Sequence, residues 1–329
     1  MYRTIVVPLD QSAFSEFALP VALDLARRCS AELRLVSVAT PPSAVFAAQG
    51  MELGPTQGGD LPNPETPFPI GEVAERELEE YLAATVDRLE ETGDSGGGAR
   101  VAISHAVERG VPSEAIRRHA REVGADLVVM TTHARGPVTR VWLGSVADEV
   151  VREASFPVLL IRPEGESEPD FERREGFRHI LVPVAEWEGS GRILADVEVL
   201  AETFGAKVTL LHVESMPRAL SSPYIPHVAE EHRKWAERER EVEAEVDKLG
   251  EGLRRRGVDV AARAVAATDA SDAILDFAEA HDADLIAMAT RGRRGLDRLI
   301  RGSVSDEVRR AVGAAVLLRR VGPAPASES

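Results

Sequence analysis

Cysteine is nearly absent: among 329 residues only Cys29 carries a thiol. An intrachain disulfide and a thiolate metal cluster within one chain are therefore excluded, and Cys29 reads as a small apolar filler at a helix end. Long apolar runs are missing as well. No stretch approaches the ~20 residues that a bilayer span needs, and no basic-then-apolar leader precedes the strand beginning near Tyr2. The expectation is a cytoplasmic protein with no membrane partner. Cations are in deficit, 39 Lys and Arg against 55 Asp and Glu, for a formal charge of −16. That field repels polyanions at long range and argues against nucleic acid. Several chemical signatures are also missing. No G-x4-G-K-S/T loop occurs, which argues against a P-loop ATPase. His227 and His232 stand five apart, on different faces of a helix, and no other histidine pair has ligand spacing, so no metal site is expected. Ser12 and Ser145 have no evident His and Asp partners for nucleophilic catalysis. The run Gly189-Ser190-Gly191-Arg192-Ile193-Leu194 is only a partial dinucleotide fingerprint, with Leu194 in the third glycine's place.

What is present comes twice. Ile5-Val6-Val7-Pro8-Leu9 returns as Ile180-Leu181-Val182-Pro183-Val184, and Gly144-Ser145-Val146-Ala147-Asp148-Glu149-Val150 returns as Gly302-Ser303-Val304-Ser305-Asp306-Glu307-Val308. A unit of half the chain is the size of a domain, not of a solenoid repeat of ~20–50 residues. Two similar domains in tandem are expected, 1–163 and 177–321, joined by a linker at 164–176 rich in Glu, Ser and Pro, with a flexible tail at 322–329. The offset between copies is 183 − 8 = 175 early on and 302 − 144 = 158 later, so 17 extra residues lie between Thr40 and Val101 of the first copy. The prolines and glycines there, and the role of the stretch 41–71, point to a long surface loop followed by a helix over 72–91.

Each copy alternates β-branched runs with helical periodicity. In the first, strands are expected at 4–9, 33–38, 101–107, 127–131 and 158–161, with helices at 14–28, 113–123 and 145–154. Leu127-Val128-Val129-Met130 and Val158-Leu159-Leu160-Ile161 are apolar at consecutive positions, which calls for burial on both faces. The fold class is therefore α/β: two doubly wound domains, each a five-stranded parallel sheet flanked by helices. In the second copy the longest helix runs from His227 to Arg256, with Val228, Trp235, Val242, Val246, Leu249 and Leu253 on one stripe and a charged remainder.

Ligands of open parallel sheets bind beyond the carboxyl ends of the strands, where strand order reverses. Both copies place Gly-Ser there, at the start of a helix whose free amides and dipole favour an anion. In the second copy the preceding loop carries Arg291, Arg293, Arg294, Arg298 and Arg301 against Asp297 alone. At these residues the chain resembles the universal stress protein family, through the I-V-V-P-L-D opening, the A-D-L-V-V-M and A-D-L-I-A-M strands, the G-S-V-x-D-E-V helices and the P-V-L-L-I end strand. The resemblance implies an adenine nucleotide alpha-hydrolase-like fold and dimerisation through the last strand. In some members it implies ATP bound by a first-strand Asp and a G-x2-G-x9-G-S/T loop; others have lost the loop and bind no nucleotide.

Neither copy matches that pattern in full. The second reads Ala289-x2-Gly292-x9-Gly302-Ser303 but has Ala185 at the Asp position. The first keeps Asp10 but reads Thr131-x2-Ala134-x9-Gly144-Ser145. The resemblance thus implies an adenine-nucleotide site in the second copy, at Val184, Val213, Met288, Ala289, Arg291, Gly292, Gly302, Ser303 and Val304, for ATP or else AMP or ADP, with Mg possible alongside. Asp10, Val38, His133, Gly144 and Ser145 are the first-copy counterparts. The functional expectation is stress-response regulation by nucleotide binding, with the end strands Val158–Ile161 and Val316–Leu318 pairing within the chain; a further homodimer and the identity of a protein partner are left open. Two alternatives stand beside it: a nucleotide-independent scaffold acting through surfaces such as the helix from His227, and a weak ATP hydrolase.

Overall fold

A computed structural model of the chain describes residues 1–40, 69–95, 100–131, 145–163, 169–171, 176–184, 190–215, 228–290 and 314–320. The first half runs β1 (Thr4–Pro8), α1 (Ala13–Glu16), α2 (Ala18–Cys29), β2 (Glu32–Ala39), α3 (Pro69–Ser95), β3 (Ile103–Arg109), α4 (Pro112–Glu122), β4 (Leu127–Thr131), α5 (Ser145–Glu153) and β5 (Val158–Ile161). The second runs β6 (His179–Pro183), α6 (Ser190–Phe204), β7 (Lys207–Ser215), α7 (Val228–Arg255), β8 (Val260–Ala267), α8 (Ala270–Ala280), β9 (Leu285–Thr290) and β10 (Ala315–Arg320). The stretch 41–68, the linker residues 164–168 and 172–175, and the tail 322–329 lie outside the described residues. No helix among the described residues is long and apolar enough to cross a membrane.

The ten strands of the described residues form one sheet in the order β3-β2-β1-β4-β5-β10-β9-β6-β7-β8. Each half is thus a five-stranded parallel sheet, and β4 and β5 are buried at every position, as consecutive apolar residues between helical layers require. The halves join where β5 and β10 pair antiparallel, Leu160 opposite Val316, Leu159 opposite Leu317 and Val158 opposite Leu318. Leu159 and Leu317 are equivalent positions of the repeat (317 − 159 = 158), so the pseudo-two-fold axis passes between them. Side chains alternate across this seam. Leu159 and Leu317 enter the core beneath α2, α3, α6 and α7, while Val158, Leu160, Val316 and Leu318 enter the core on the opposite face with α4 and α5.

Two departures from the sequence expectation have local causes. The single helix expected over 14–28 is split at Phe17, because Pro20 lacks an amide hydrogen and its ring would meet the carbonyl of Glu16 in a continuous helix; it is tolerated in the first turn of α2. The corresponding residue of α6 is Ala195, and α6 is unbroken. Helix α3 begins at Pro69, inside the stretch assigned to loop, since proline suits the first position of a helix.

The repeated Ala-Asp-Leu motif has a structural role. Asp126 accepts hydrogen bonds from the amides of Arg3 (2.7 Å) and Thr4 (3.1 Å), and Asp284 from those of Arg178 (2.8 Å) and His179 (3.0 Å). Each carboxylate thereby ties the start of its half's first strand to the start of the fourth.

Helices α2 and α6 meet across the pseudo-axis through two symmetry-related contacts. Cys29 Sγ lies 3.6 Å from Thr203 Oγ1, and the Arg28 guanidinium lies 5.0 Å above the Phe204 ring. Positions 28 and 203, and 29 and 204, are repeat equivalents, so this is an isologous contact of the kind found in two-fold dimers. Cys29 is a buried filler, as expected. Phe204 also packs edge-on to Phe177 (5.4 Å), and a Cβ at Gly176 would fall 1.9 Å from that same ring, so glycine is required there.

One polar group beside this contact breaks the symmetry. Asp196 on α6 is buried, with Oδ1 3.5 Å from Arg319 of β10; among the described residues its Oδ2 and the buried Tyr2 hydroxyl have no hydrogen-bond partner. The first-half equivalents are Val21 and Ile161. Burial pushes the Asp196 carboxyl up to about 6, with Arg319 opposing the shift. A carboxyl raised in the fold stabilises it fully below the ordinary value of 3.8 and loses that contribution as pH rises through about 6. We expect Arg319→Ile alone to destabilise by about 3 kcal/mol at pH 7, because it strands a buried charge. The double variant Asp196→Val/Arg319→Ile, which copies the first half, should unfold at or above the wild-type denaturant midpoint and lose the decline between pH 4 and 6.

Candidate functional site

Strand order reverses between β1 and β4 in the first half and between β6 and β9 in the second, so each half has one crevice at its carboxyl edge. Because β5 and β10 are antiparallel, the two carboxyl edges face opposite directions. Asp10, after the end of β1, and the carboxyl end of β9 at Thr290 therefore stand at opposite edges of the sheet. Each crevice must work with its own residues.

In the first half, Leu9 leaves the sheet with its amide donating to the Val36 carbonyl (2.8 Å) and its carbonyl accepting from the Ser37 hydroxyl (2.8 Å). Asp10 then enters a tight turn. Its Oδ1 accepts from the Ser12 amide (3.1 Å) and hydroxyl (2.5 Å), Gln11 adopts φ 63°, and Ser12 Oγ accepts from the Ser15 amide (3.1 Å) as the cap of α1. One oxygen of the Asp10 carboxylate is thus engaged in shaping its own loop. Val38 is half-buried on β2, Thr131 is buried at the end of β4, and Ser145 is exposed as the first residue of α5. His133 and Gly144 lie outside the described residues.

The second half repeats this backbone with different side chains. The Val184 amide donates to the Leu211 carbonyl (2.8 Å), matching Leu9. Its carbonyl accepts from Nδ1 of His212 (2.8 Å), where the first half uses Ser37, and the Nε2 of that ring lies 3.2 Å from Glu214 Oε2. Val184 is buried, and Val213, Met288 and Ala289 are half-buried at the ends of β7 and β9. Val184 and Ala289 pack with the core beneath α6 and α7, whereas Val213 and Met288 pack with the core on the opposite face, beneath α8. Ala185, Arg291, Gly292, Gly302, Ser303 and Val304 lie outside the described residues. An apolar floor with a few convergent polar groups is the usual make-up of a small-molecule site. Among the described residues no cluster of His, Cys, Asp or Glu is placed to hold a metal ion.

Sequence reasoning missed Ser37, His212 and Glu214. Their signal lay in the repeat itself: position 212 is 37 + 175, so a serine in one copy faces a histidine in the other.

Fold and crevices together define a duplicated α/β protein of the adenine nucleotide alpha-hydrolase-like class. The model of the universal stress protein family matches residues 1–62, 60–162 and 176–320, and the chain belongs to that family. A universal stress protein of Methanocaldococcus jannaschii is 31% identical over 162 residues, covering 49% of this chain and 83% of its own. The stress response protein NhaX of Bacillus subtilis is 25% identical over 167 residues, 48% of this chain and 96% of its own. These relatives thus match about half of the chain each, as a duplication implies. Over the whole length, the crystal structure of a universal stress protein from Archaeoglobus fulgidus aligns with a TM-score of 0.62 at 17% identity, covering 97% of both chains, and so shares the fold.

The Asp10 turn yields a direct expectation. Ser12→Ala removes the cap of α1 and both hydrogen bonds that the side chain makes, and should lower stability by about 1 kcal/mol, read as a shift of the denaturation midpoint at unchanged slope.

Proposed function

We propose that the protein is a nucleotide-responsive regulator that binds one adenine nucleotide, ATP foremost, in the crevice between β6 and β9, with the first-half crevice empty. The observation that carries this reading is the sequence Ala289-x2-Gly292-x9-Gly302-Ser303 departing from the end of β9, beside the reversal of strand order. A polyphosphate there would meet glycine amides, the Ser303 hydroxyl and Arg291, donors suited to its charge. The apolar strand ends at Val184, Val213 and Met288 suit the weakly polar face of a purine. The first half is the poorer host, because β-branched Thr131, buried on β4, and Ala134 stand where the pattern has glycines. When bound, a magnesium ion would accompany the phosphates and neutralise part of their charge.

In this reading duplication has separated two tasks. The second half senses nucleotide, while the first completes the central sheet and so performs the pairing that a separate subunit would otherwise supply. The surroundings are proposed to be cytoplasmic, and the output to pass to a protein partner.

Calorimetry of the full-length chain with ATP tests the assignment. One equivalent should bind, Gly302→Val should weaken binding more than about tenfold by blocking backbone approach to phosphate, and Gly144→Val should leave it intact. Loss of binding in the Gly144 variant, with retention in the Gly302 variant, would reverse the roles of the halves.

A further inference from the structure

The two outer strands of the sheet are finished differently. β2 pairs with β3 with Leu33 opposite Ile103, and β7 with β8 with Val208 opposite Val260. Leu33 and Val208 are repeat equivalents (208 − 33 = 175), so Ile103, His105 and Val107 of β3 occupy the places of Val260, Ala262 and Ala264 of β8. The Leu33 amide donates to the Ala102 carbonyl (2.9 Å) and the Val208 amide to the Asp259 carbonyl (2.8 Å), which turns the backbone groups of these alternate residues away from the sheet in both halves.

In the second half side chains occupy this outer row. Arg254 of α7 donates to the Val260 carbonyl (3.1 Å), Arg263 folds back onto the Ala262 carbonyl (2.6 Å), and Glu239 of α7 accepts from the Ala266 amide (3.0 Å). In the first half Arg118 donates to the Arg109 carbonyl (3.2 Å) at the end of the strand. Among the described residues nothing engages the outward amides and carbonyls of Ile103, His105 and Val107, and the place of Arg263 is taken by Ala106. An open groove of about 340 Å³ runs beside them, lined by His105, Ala106 and Val107 and by Glu79, Glu80 and Ala83 of α3. We propose that the β3 edge is a docking site for an extended segment of a partner protein bearing lysine or arginine at alternate positions, which adds to the sheet as one further strand.

Both the backbone and the charge fit that occupant. From Ile103 to Val107 the row offers a donor and an acceptor at every second residue over about 13 Å, at ~3.3 Å per residue. An extended peptide is the ligand that matches such a row: its main chain supplies affinity and its alternate side chains supply specificity. Side chains on the α3 side of the added strand would meet Glu79 and Glu80, both exposed. Glu79 has no ion pair among the described residues, and Glu80 lies 3.7 Å from Arg76 in a pair so exposed that it contributes little. The formal charge of −16 acts in the same direction, since it draws in a cationic segment and opposes a second copy of the chain, which would bring the same acids to the groove. Soluble proteins ordinarily blunt an open edge, as this chain does at β8, so the edge left open in only one copy of the repeat is the one at which a strand can be received.

Three synthetic peptides added to the full-length chain test this: one alternating lysine with valine, one with glutamate in place of lysine, and the lysine peptide N-methylated at the amides of its pairing side. The lysine peptide should bind and slow the hydrogen exchange of the Ile103, His105 and Val107 amides, which should exchange quickly in the free protein. The methylated form keeps the charge but lacks the donors, and should bind at least about tenfold more weakly. Ala106→Arg, which copies Arg263, and Val107→Pro, which removes an outward donor and no bond to β2, should weaken binding of the lysine peptide to a similar degree. Glu79→Lys/Glu80→Lys, at exposed positions outside the core, should move the preference to the glutamate peptide. Equal binding of the methylated and unmethylated peptides would reduce the effect to surface charge and overturn the proposal. So would slow exchange of the three amides in the free protein, their protection by self-association at rising protein concentration, or absence of binding by the lysine peptide. None of these outcomes bears on the nucleotide site, which the calorimetry above tests separately.

Discussion

The antiparallel pairing of β5 with β10 is the constraint on which the rest of the structure depends. A five-stranded parallel sheet ends in a strand whose outer amides and carbonyls need partners, and an open apolar edge of that sort invites uncontrolled association. Here the two end strands satisfy each other around Leu159 and Leu317, both fully buried, so the edges are closed within one molecule. Among the described residues only β3 and β8 remain as sheet edges, and α3 and α7 pack against them. Since alternate residues of the seam feed both faces of the sheet, the cores of the two halves are physically continuous.

The same constraint governs function. Two parallel sheets joined through an antiparallel seam must present their ligand edges at opposite ends of the molecule. Asp10, after the end of β1 in one half, and the carboxyl end of β9 at Thr290 in the other are thereby kept apart. The copies have also diverged at their carboxyl edges. The first half has spent one oxygen of Asp10 on a turn closed by Ser12, and the second has built the His212–Glu214 pair where its twin has Ser37 and Ala39. Asymmetry reaches the interface as well: Asp196 and Arg319 stand where the first half has Val21 and Ile161. Buried ion pairs contribute little net stability compared with apolar packing, so this one is better understood as a directional feature of the pairing than as its source of strength.

Much of this architecture was legible in the chain, for reasons particular residues make plain. Val158 to Ile161 and Leu127 to Met130 could only be doubly buried strands, and both appear at the expected positions. The helix from His227 was recovered within a residue at each end, because its apolar stripe persists over eight turns. Pro20 and Pro69 misled in opposite directions. Pro20 was passed over in the helix expected at 14–28, which its ring splits, whereas Pro69 was counted with the loop although proline at a helix start costs nothing. The Ala-Asp-Leu motif was visible as a repeat, but nothing in its spacing shows that Asp126 and Asp284 reach across 123 and 106 positions to hold the amides of Arg3 and Arg178.

By itself the sequence determined the duplication, the alternation of strand and helix, the apolar end strands and the residues of the glycine loop, because periodicity and repetition are local properties of the chain. Tertiary structure alone decided that the two crevices face apart, that Cys29 meets Thr203 and Arg28 meets Phe204 about one axis, and that Glu214 stands one imidazole from the carbonyl before Ala185. Those facts depend on the relative direction and register of strands far apart in the chain, which no local pattern encodes.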